Sequence, residues 1–376
     1  MNFRRKLKVL LLLLCLTVCL NLLTIFKCLD KTATTNTVSS VSGQRQAVSL
    51  TTTARRRQKN ELRRLLFYLN LTEDEAPRHL ALTLDAPLLL NNPDLCRTKD
   101  GNEVHVLFMV HTAPDHFQRR HDMRTTFMAP SNVLFFNANV RGVFLLGRVS
   151  TDAEQQRLEA EHDQHGDLVQ GDFLDSYHNL SHKGVMGYGW VEHHCPRVKV
   201  LVKLDDDMFF DTVKLLHHYW PVLQDKRRTV MCNLSKSHTK SAIIYRAGKW
   251  TVDRRLFRNE TRYPYHYCTG NMVIITGDLV PSLFDAARLA PPFWVDDVYL
   301  YGILPVIATN VSFYFAGYSN RVMYLNPDKA QQCLNVKKHD CPMLAVIAEG
   351  EQLRALWNAT SILHTLNKGL RLIAQV

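Results

Sequence analysis

The sequence predicts an α/β domain built on a mainly parallel sheet with helices on both faces. Three observations carry this prediction. Between residues 103 and 211, short apolar runs alternate with longer segments of helical character. The apolar runs are nearly continuous rather than alternating, as in strands covered on both faces. The most apolar of them, residues 198–204, stops at three consecutive carboxylates, Asp205, Asp206 and Asp207. In open α/β sheets, ligands collect outside the carboxyl ends of the strands.

The chain of 376 residues opens on a basic tail, residues 1–8, containing Arg4, Arg5, Lys6 and Lys8. An apolar stretch follows over residues 9–26. As a helix it would span about 27 Å, close to the thickness of a bilayer core. It is longer than the apolar region of a cleaved signal peptide, so a retained single transmembrane anchor is expected. The basic excess ahead of it orients the N-terminus to the cytosol and the rest to the lumen, as a type II membrane protein. Residues 27–64 are rich in Ser and Thr, with few large apolar residues, and read as a stem. A short helix is expected from Glu61, and residues 65–100 form a transition into a domain over 101–376.

Within that domain, "EVHVLFMVHT" predicts a buried strand and "FQRRHDMRTTF" a helix. "VRGVFLLG" predicts a second strand, "TDAEQQRLEAEHDQHG" a charged helix and "LVQGDF" a short third strand. "NLSHKGVMGYGWVEHHC" reads as a helix despite three glycines, and "VKVLVKL" as the strand that ends at the acids.

Charge does not argue for a nucleic-acid-binding face. The net charge is +11, but residues 1–64 hold 13 Lys/Arg against 2 Asp/Glu, leaving 33 of each in the remainder. No nucleic-acid partner is expected. Six Asn-x-Ser/Thr sequons begin at Asn70, Asn179, Asn233, Asn259, Asn310 and Asn358, in keeping with a lumenal body. Cys96, Cys195, Cys232, Cys268, Cys333 and Cys341 are even in number and suit up to three disulfides. "HHC" at 193–195 has no second pair at zinc-finger spacing.

Three adjacent carboxylates repel one another and are costly to desolvate unpaired. Clustered against Met208, Phe209 and Phe210, they suit a hard divalent cation, Mg²⁺ or Mn²⁺, that keeps substrate phosphates among its ligands. Asp296 and Asp297, after an aromatic loop, suit a general base, or equally a helix N-cap. The Tyr263–Tyr267 region is the kind of aromatic loop that stacks on sugar rings, although ordinary loop packing is the commoner outcome.

In order, "RRHDMRTTF" (119–127), "VFLLG" (143–147), "GDFLDSYHNLSHK" (171–183), "VKLDDDMFF" (202–210), "RYPYHYCTGNMVIIT" (262–276) and "WVDDVYLYGI" (294–303) resemble the β-1,3-galactosyltransferase family, glycosyltransferase family 31. That family also contains β-1,3-N-acetylglucosaminyltransferases. The resemblance implies a GT-A-type fold and a Golgi type II enzyme. It also implies a UDP-sugar donor, Mn²⁺, and inverting transfer of galactose or N-acetylglucosamine to the 3-hydroxyl of a glycan on protein or lipid. It places Asp205 and Asp206 at the nucleotide, with Asp207 as metal ligand alongside Asp205. Arg120, Arg124 and Lys183 fall on the donor side, and Asp297 is the favoured base with Asp296 kept open. His339 is the candidate for a late metal-binding histidine, with His364 as a second candidate. The departures, Phe127 for Trp, His266 and Tyr267 before the Cys, and Asn271 after one Gly, fall on the sugar-recognition side. The rival readings are a non-catalytic glycan- or partner-binding ectodomain and a metal-dependent phosphohydrolase. The intact acids argue against the first and the missing downstream Thr/Ser and Lys partners against the second.

Overall fold

The computed structural model describes residues 52–75, 87–97, 103–131, 138–317 and 320–374. The expected tail and anchor lie outside the described residues. Among the described residues, no helix is long and apolar enough to cross a membrane.

Helix α1, Thr52–Leu69, begins nine residues before the helix expected from Glu61. Composition alone put residues 52–64 in the stem. They are helical because Leu65, Leu66, Tyr68 and Leu69 give the helix a buried face. Tyr68 stacks on Phe257 at 5.5 Å, and the Gln58 amide donates to the Ile307 carbonyl at 3.0 Å.

The body follows the expected alternation. After β1 (Leu88–Leu90) come β2 (Val106–His111), α2 (Phe117–Thr125), β3 (Val140–Arg148), α3 (Asp152–His165), β4 (Leu168–Leu174), α4 (Leu180–His194) and β5 (Val200–Asp205). Helix α3 starts where the Thr151 hydroxyl accepts the Glu154 N–H. It ends at Gly166, in the left-handed region at φ 64°. The glycines of α4 are required by close packing. A Cβ at Gly187 would overlap Met109 and Leu145 of the sheet, and one at Gly184 would overlap Leu300.

Beyond β5, Met208–Phe210 forms β6. A broken helix, α5, runs through Thr212–Lys214, a π turn at Leu215–Tyr219 and Trp220–Leu223. Next come β7 (Thr229–Ser235), β8 (Tyr267–Thr276) and α6 (Val280–Ala287). Helix α7 comprises Asp296–Val298, a π turn at Tyr299–Ile303 and Leu304–Ala308. The chain continues through β9 (Ser312–Phe315), β10 (Met323–Tyr324), α8 (Pro327–Lys337), β11 (Ala345–Ile347) and α9 (Gly350–Ala374).

The main sheet has the order β1-β4-β3-β2-β5-β8-β7-β9. Strands β4, β3, β2 and β5 pair in parallel, while β8 runs antiparallel between β5 and β7. Val106, Phe108 and Val110 face one core, and Leu107 and Met109 the other, so the sheet is buried on both sides. A second sheet, β10-β11-β6, takes over where β5 stops. Asp206 and Asp207 form the turn between the two sheets. Three disulfides close the domain: Cys96–Cys195, Cys232–Cys268 across β7 and β8, and Cys333–Cys341. Asn70, Asn259, Asn310 and Asn358 are exposed, whereas the Asn233 amide donates to the Thr269 hydroxyl at 3.1 Å.

Candidate active site

A cleft of about 870 Å³ opens at the carboxyl ends of β2 and β5, and both acidic groups line it. One wall carries His111, Thr112, His116, Asp175, Lys183 and Asp205–Asp207, and the other Tyr263, Tyr267, Gly270, Asn271, Asp296 and Asp297. Strand β5 delivers the first acids and the start of α7 the second.

The triplet has three different environments. Asp205 is partly exposed and accepts from the Lys203 ammonium at 2.6 Å. Asp206 is buried and accepts from the Thr112 hydroxyl at 2.6 Å, the His116 ring at 2.7 Å and the Arg119 guanidinium at 3.0 Å. Burial raises its pKa, but these bonds outweigh it and hold the carboxyl below its usual range. Asp207 goes the other way. Burial and the adjacent charges of Asp205 and Asp206 raise its pKa, against Arg119. Its Oδ1 is buried with no hydrogen-bond partner.

Lys203 is the cation that the sequence reading missed. It is 1% exposed, donates to Asp205 and to the Gly270 carbonyl at 2.7 Å, and lies 5.8 Å from the Tyr301 ring centre. Burial works against its charge, but Asp205, Asp296 and Asp297 prevail and raise its pKa. A lysine inside an otherwise apolar strand was the available signal, since such a group is retained only beside a counter-charge.

Burial raises the pKa of Asp296 to about 6, with Lys203 opposing and Asp205 assisting. Asp297 is raised well above the carboxylate range, first by burial and then by Asp296. The two carboxylates disfavour each other's ionisation. A Cβ at Gly270 would overlap Asp297 Oδ1, so the glycine makes room for this carboxylate.

Lys183 lines the cleft. Its ammonium donates to the Thr112 carbonyl at 2.7 Å and pairs with Asp175 at 2.9 Å. Arg120 and Arg124 do not line the cleft. Arg120 is fully buried and donates to Glu161 at 2.9 and 2.7 Å, the Ala113 carbonyl at 2.7 Å and the Pro114 carbonyl at 3.0 Å. Arg124 pairs with Glu161 and Asp167, both at 2.7 Å. Both arginines hold the wall from behind, and Arg119 is the one that reaches the triplet.

His339 lies in the turn after α8, beside the Cys333–Cys341 disulfide, and is not among the cleft residues. His364 instead pairs with Asp211 at 2.9 Å. The histidines at the cleft are His111 and His116. His111 is buried, both ring nitrogens lack partners, and burial with Lys203 and Lys183 nearby drives its pKa well down. The aromatic loop packs inward: Tyr263, Tyr265 and Tyr267 are all buried.

Among the described residues, no group of three or more His, Cys, Asp and Glu is arranged to hold a metal ion. The unpartnered buried oxygen of Asp207 nevertheless fits a hard cation that draws most of its other ligands from substrate phosphates and water.

Sheet order and acid placement define an α/β fold whose mainly parallel sheet presents acidic side chains in a cleft at its strand ends. The galactosyltransferase family model matches residues 118–313, just over half of the 376-residue chain, and the chain belongs to that family. A lactosylceramide 1,3-N-acetyl-beta-D-glucosaminyltransferase A of Danio rerio is 29% identical over 66% of this chain and 66% of its own length. The Homo sapiens lactosylceramide 1,3-N-acetyl-beta-D-glucosaminyltransferase is 28% identical over 56% of each chain. Homo sapiens beta-1,3-galactosyltransferase 5 is 31% identical over 42% of this chain and 49% of its own. The chain thus spans between about half and two thirds of the length of these relatives.

Proposed function

We propose that this protein is an inverting β-1,3-hexosyltransferase, moving galactose or N-acetylglucosamine from a UDP-sugar to the 3-hydroxyl of a glycan. Family membership supports the class. The observation that supports the chemistry is the pairing, in one cleft, of an acid cluster on β5 with a buried carboxylate pair on α7.

In this reading the β5 wall receives the nucleotide diphosphate. Asp207, with Asp205, would hold a divalent cation, Mn²⁺ or Mg²⁺. Such an ion, when bound, neutralises the diphosphate as the bond to the sugar breaks. Asp206 is committed to Thr112, His116 and Arg119, so it shapes the wall rather than binding directly. Lys183 and Arg120 fix the backbone of residues 112–114 from two sides.

Asp297 acts as general base. It accepts the proton of the acceptor hydroxyl, whose oxygen attacks C1 of the sugar from the face opposite the departing UDP. A carboxylate with a raised pKa is a stronger base once ionised, and Lys203 keeps an ionised form accessible. Residues 9–26 would anchor the protein in the Golgi membrane, with the stem and residues 101–376 in the lumen.

The test is UDP release by the full chain over a panel of UDP-sugars and simple β-galactoside and β-hexosaminide acceptors, with Mn²⁺ or with EDTA. Asp297→Asn should lose turnover and keep UDP binding, whereas Asp207→Ala should lose both. Equal loss of UDP binding in the two variants would overturn these roles. Glycan binding without turnover would favour the non-catalytic reading.

A further inference from the structure

Between β7 and β8 the chain makes a long excursion, residues 236–266, with little regular structure. On it sit three large side chains that remain exposed while lining the cleft: Ile243 (40%), Tyr245 (46%) and Trp250 (45%). Tyr177, 40% exposed, meets them from the other wall. The Trp250 indole N–H donates to the Tyr177 hydroxyl at 2.7 Å, and the Tyr245 and Trp250 rings lie 5.6 Å apart. The Lys249 ammonium stands 4.4 Å above the Tyr177 ring.

This aromatic group is built rather than incidental. Arg246, next to Tyr245, donates to five backbone carbonyls, those of Val252, Asp253, Leu256, Phe257 and Glu260, at 2.7–3.3 Å. One guanidinium thereby fixes the loop that carries Trp250. Rigid aromatic rings give large contact area at little entropic cost on binding. Apolar aromatic faces beside exposed polar edges match a sugar ring, which offers C–H groups on its face and hydroxyls at its rim. Tyr263 and Tyr267 also line the cleft, but both are buried and offer far less ring surface than Tyr245 and Trp250.

We infer that Tyr245 and Trp250, braced by Tyr177, form a shelf for a second sugar of the acceptor, beyond the residue whose hydroxyl reacts at Asp297. The shelf makes the protein selective for an oligosaccharide acceptor over a monosaccharide glycoside. This rests on the acceptor reading of the Asp297 wall. The shelf residues are exposed yet line the same cleft as Asp296 and Asp297, and Tyr177 lies close enough to both carboxylates to feel their charge.

The experiment compares the wild-type chain with Trp250→Ala and Trp250→Phe. It uses methyl β-glycosides of galactose and N-acetylhexosamine and tetrasaccharides ending in the same sugars. The ratio of tetrasaccharide to monosaccharide kcat/KM should fall about ten-fold in Trp250→Ala, the equivalent of about 1.4 kcal/mol, and recover largely in Trp250→Phe. Saturation-transfer NMR of the same sugars provides a readout without turnover, and the internal sugar's signal should fade in Trp250→Ala. An unchanged ratio, or tetrasaccharide binding equal in wild type and variant, would overturn the shelf. So would the failure of every tetrasaccharide to bind wild type. Absent turnover with Trp250-dependent tetrasaccharide binding would instead sink the enzymatic reading and leave the shelf standing.

Discussion

Asp296→Asn should make the protein more stable at neutral pH, although it alters the centre of the cleft. In the folded chain Asp296 titrates at about 6, against an ordinary value of 3.8. The native state therefore keeps a proton that the unfolded chain has already released between those values. By linkage, stability associated with this group is fully present below about pH 4 and is lost as pH rises through 6. The difference corresponds to about 3 kcal/mol at pH 7.5. An amide resembles the protonated acid, so the variant should recover that amount at pH 7.5 and progressively less toward pH 5. The assay is thermal unfolding of both proteins followed by circular dichroism from pH 5 to 8. The gap in Tm should widen with pH, reaching several degrees. A variant no more stable at pH 7.5, or a gap independent of pH, would refute the reasoning. The same variant separates the two carboxylates. Removing the Asp296 charge lowers the pKa of Asp297, so residual turnover should persist with its acidic limb moved to lower pH. Turnover lost outright, with stability gained, would transfer the base role to Asp296.

Other perturbations probe the supports of the site. Lys203→Met leaves Asp205, Asp296 and Asp297 without their buried cation. It should cost about 3–5 kcal/mol in urea unfolding at pH 7.5, and less at pH 5, where the raised acids are protonated. Gly270→Ala puts a methyl group onto Asp297 Oδ1 and should remove turnover with little change in UDP affinity, measured by calorimetry. Arg120→Lys keeps the charge but cannot make the forked contacts to Glu161 and two carbonyls together. It should cost about 2–3 kcal/mol and raise the donor KM more than it lowers kcat.

The fold was legible where one short window contains all the information. Strands β2 to β5 are apolar on both faces, and Thr151 and Gly166 bracket α3 by local capping chemistry. The acids were legible because carboxylates ending a core strand contradict their surroundings. What remained hidden depends on direction rather than identity. Arg119 and Arg120 are neighbours in sequence, but successive helical residues point about 100° apart. One therefore reaches Asp206 and the other Glu161, and no pattern within the two arginines says which. His339 and His364 are histidines in the right half of the chain, but the first sits in the turn after α8 and the second pairs with Asp211, which lies close to the triplet in sequence but outside the cleft lining. Lys203 announced itself by breaking an apolar run, and its meaning emerged only when α7 returned Asp296 and Asp297 to the same face. The 236–266 excursion has no periodicity to read, so its aromatics acquire a role only through Arg246. The departures from the family pattern at His266, Tyr267 and Asn271 close this same excursion. The residues of the acid triplet are thus held at the end of the sheet and were visible in its pattern. Those that would choose the acceptor sit on a loop held by one arginine, which lets acceptor choice change while the sheet and its acids stay as they are.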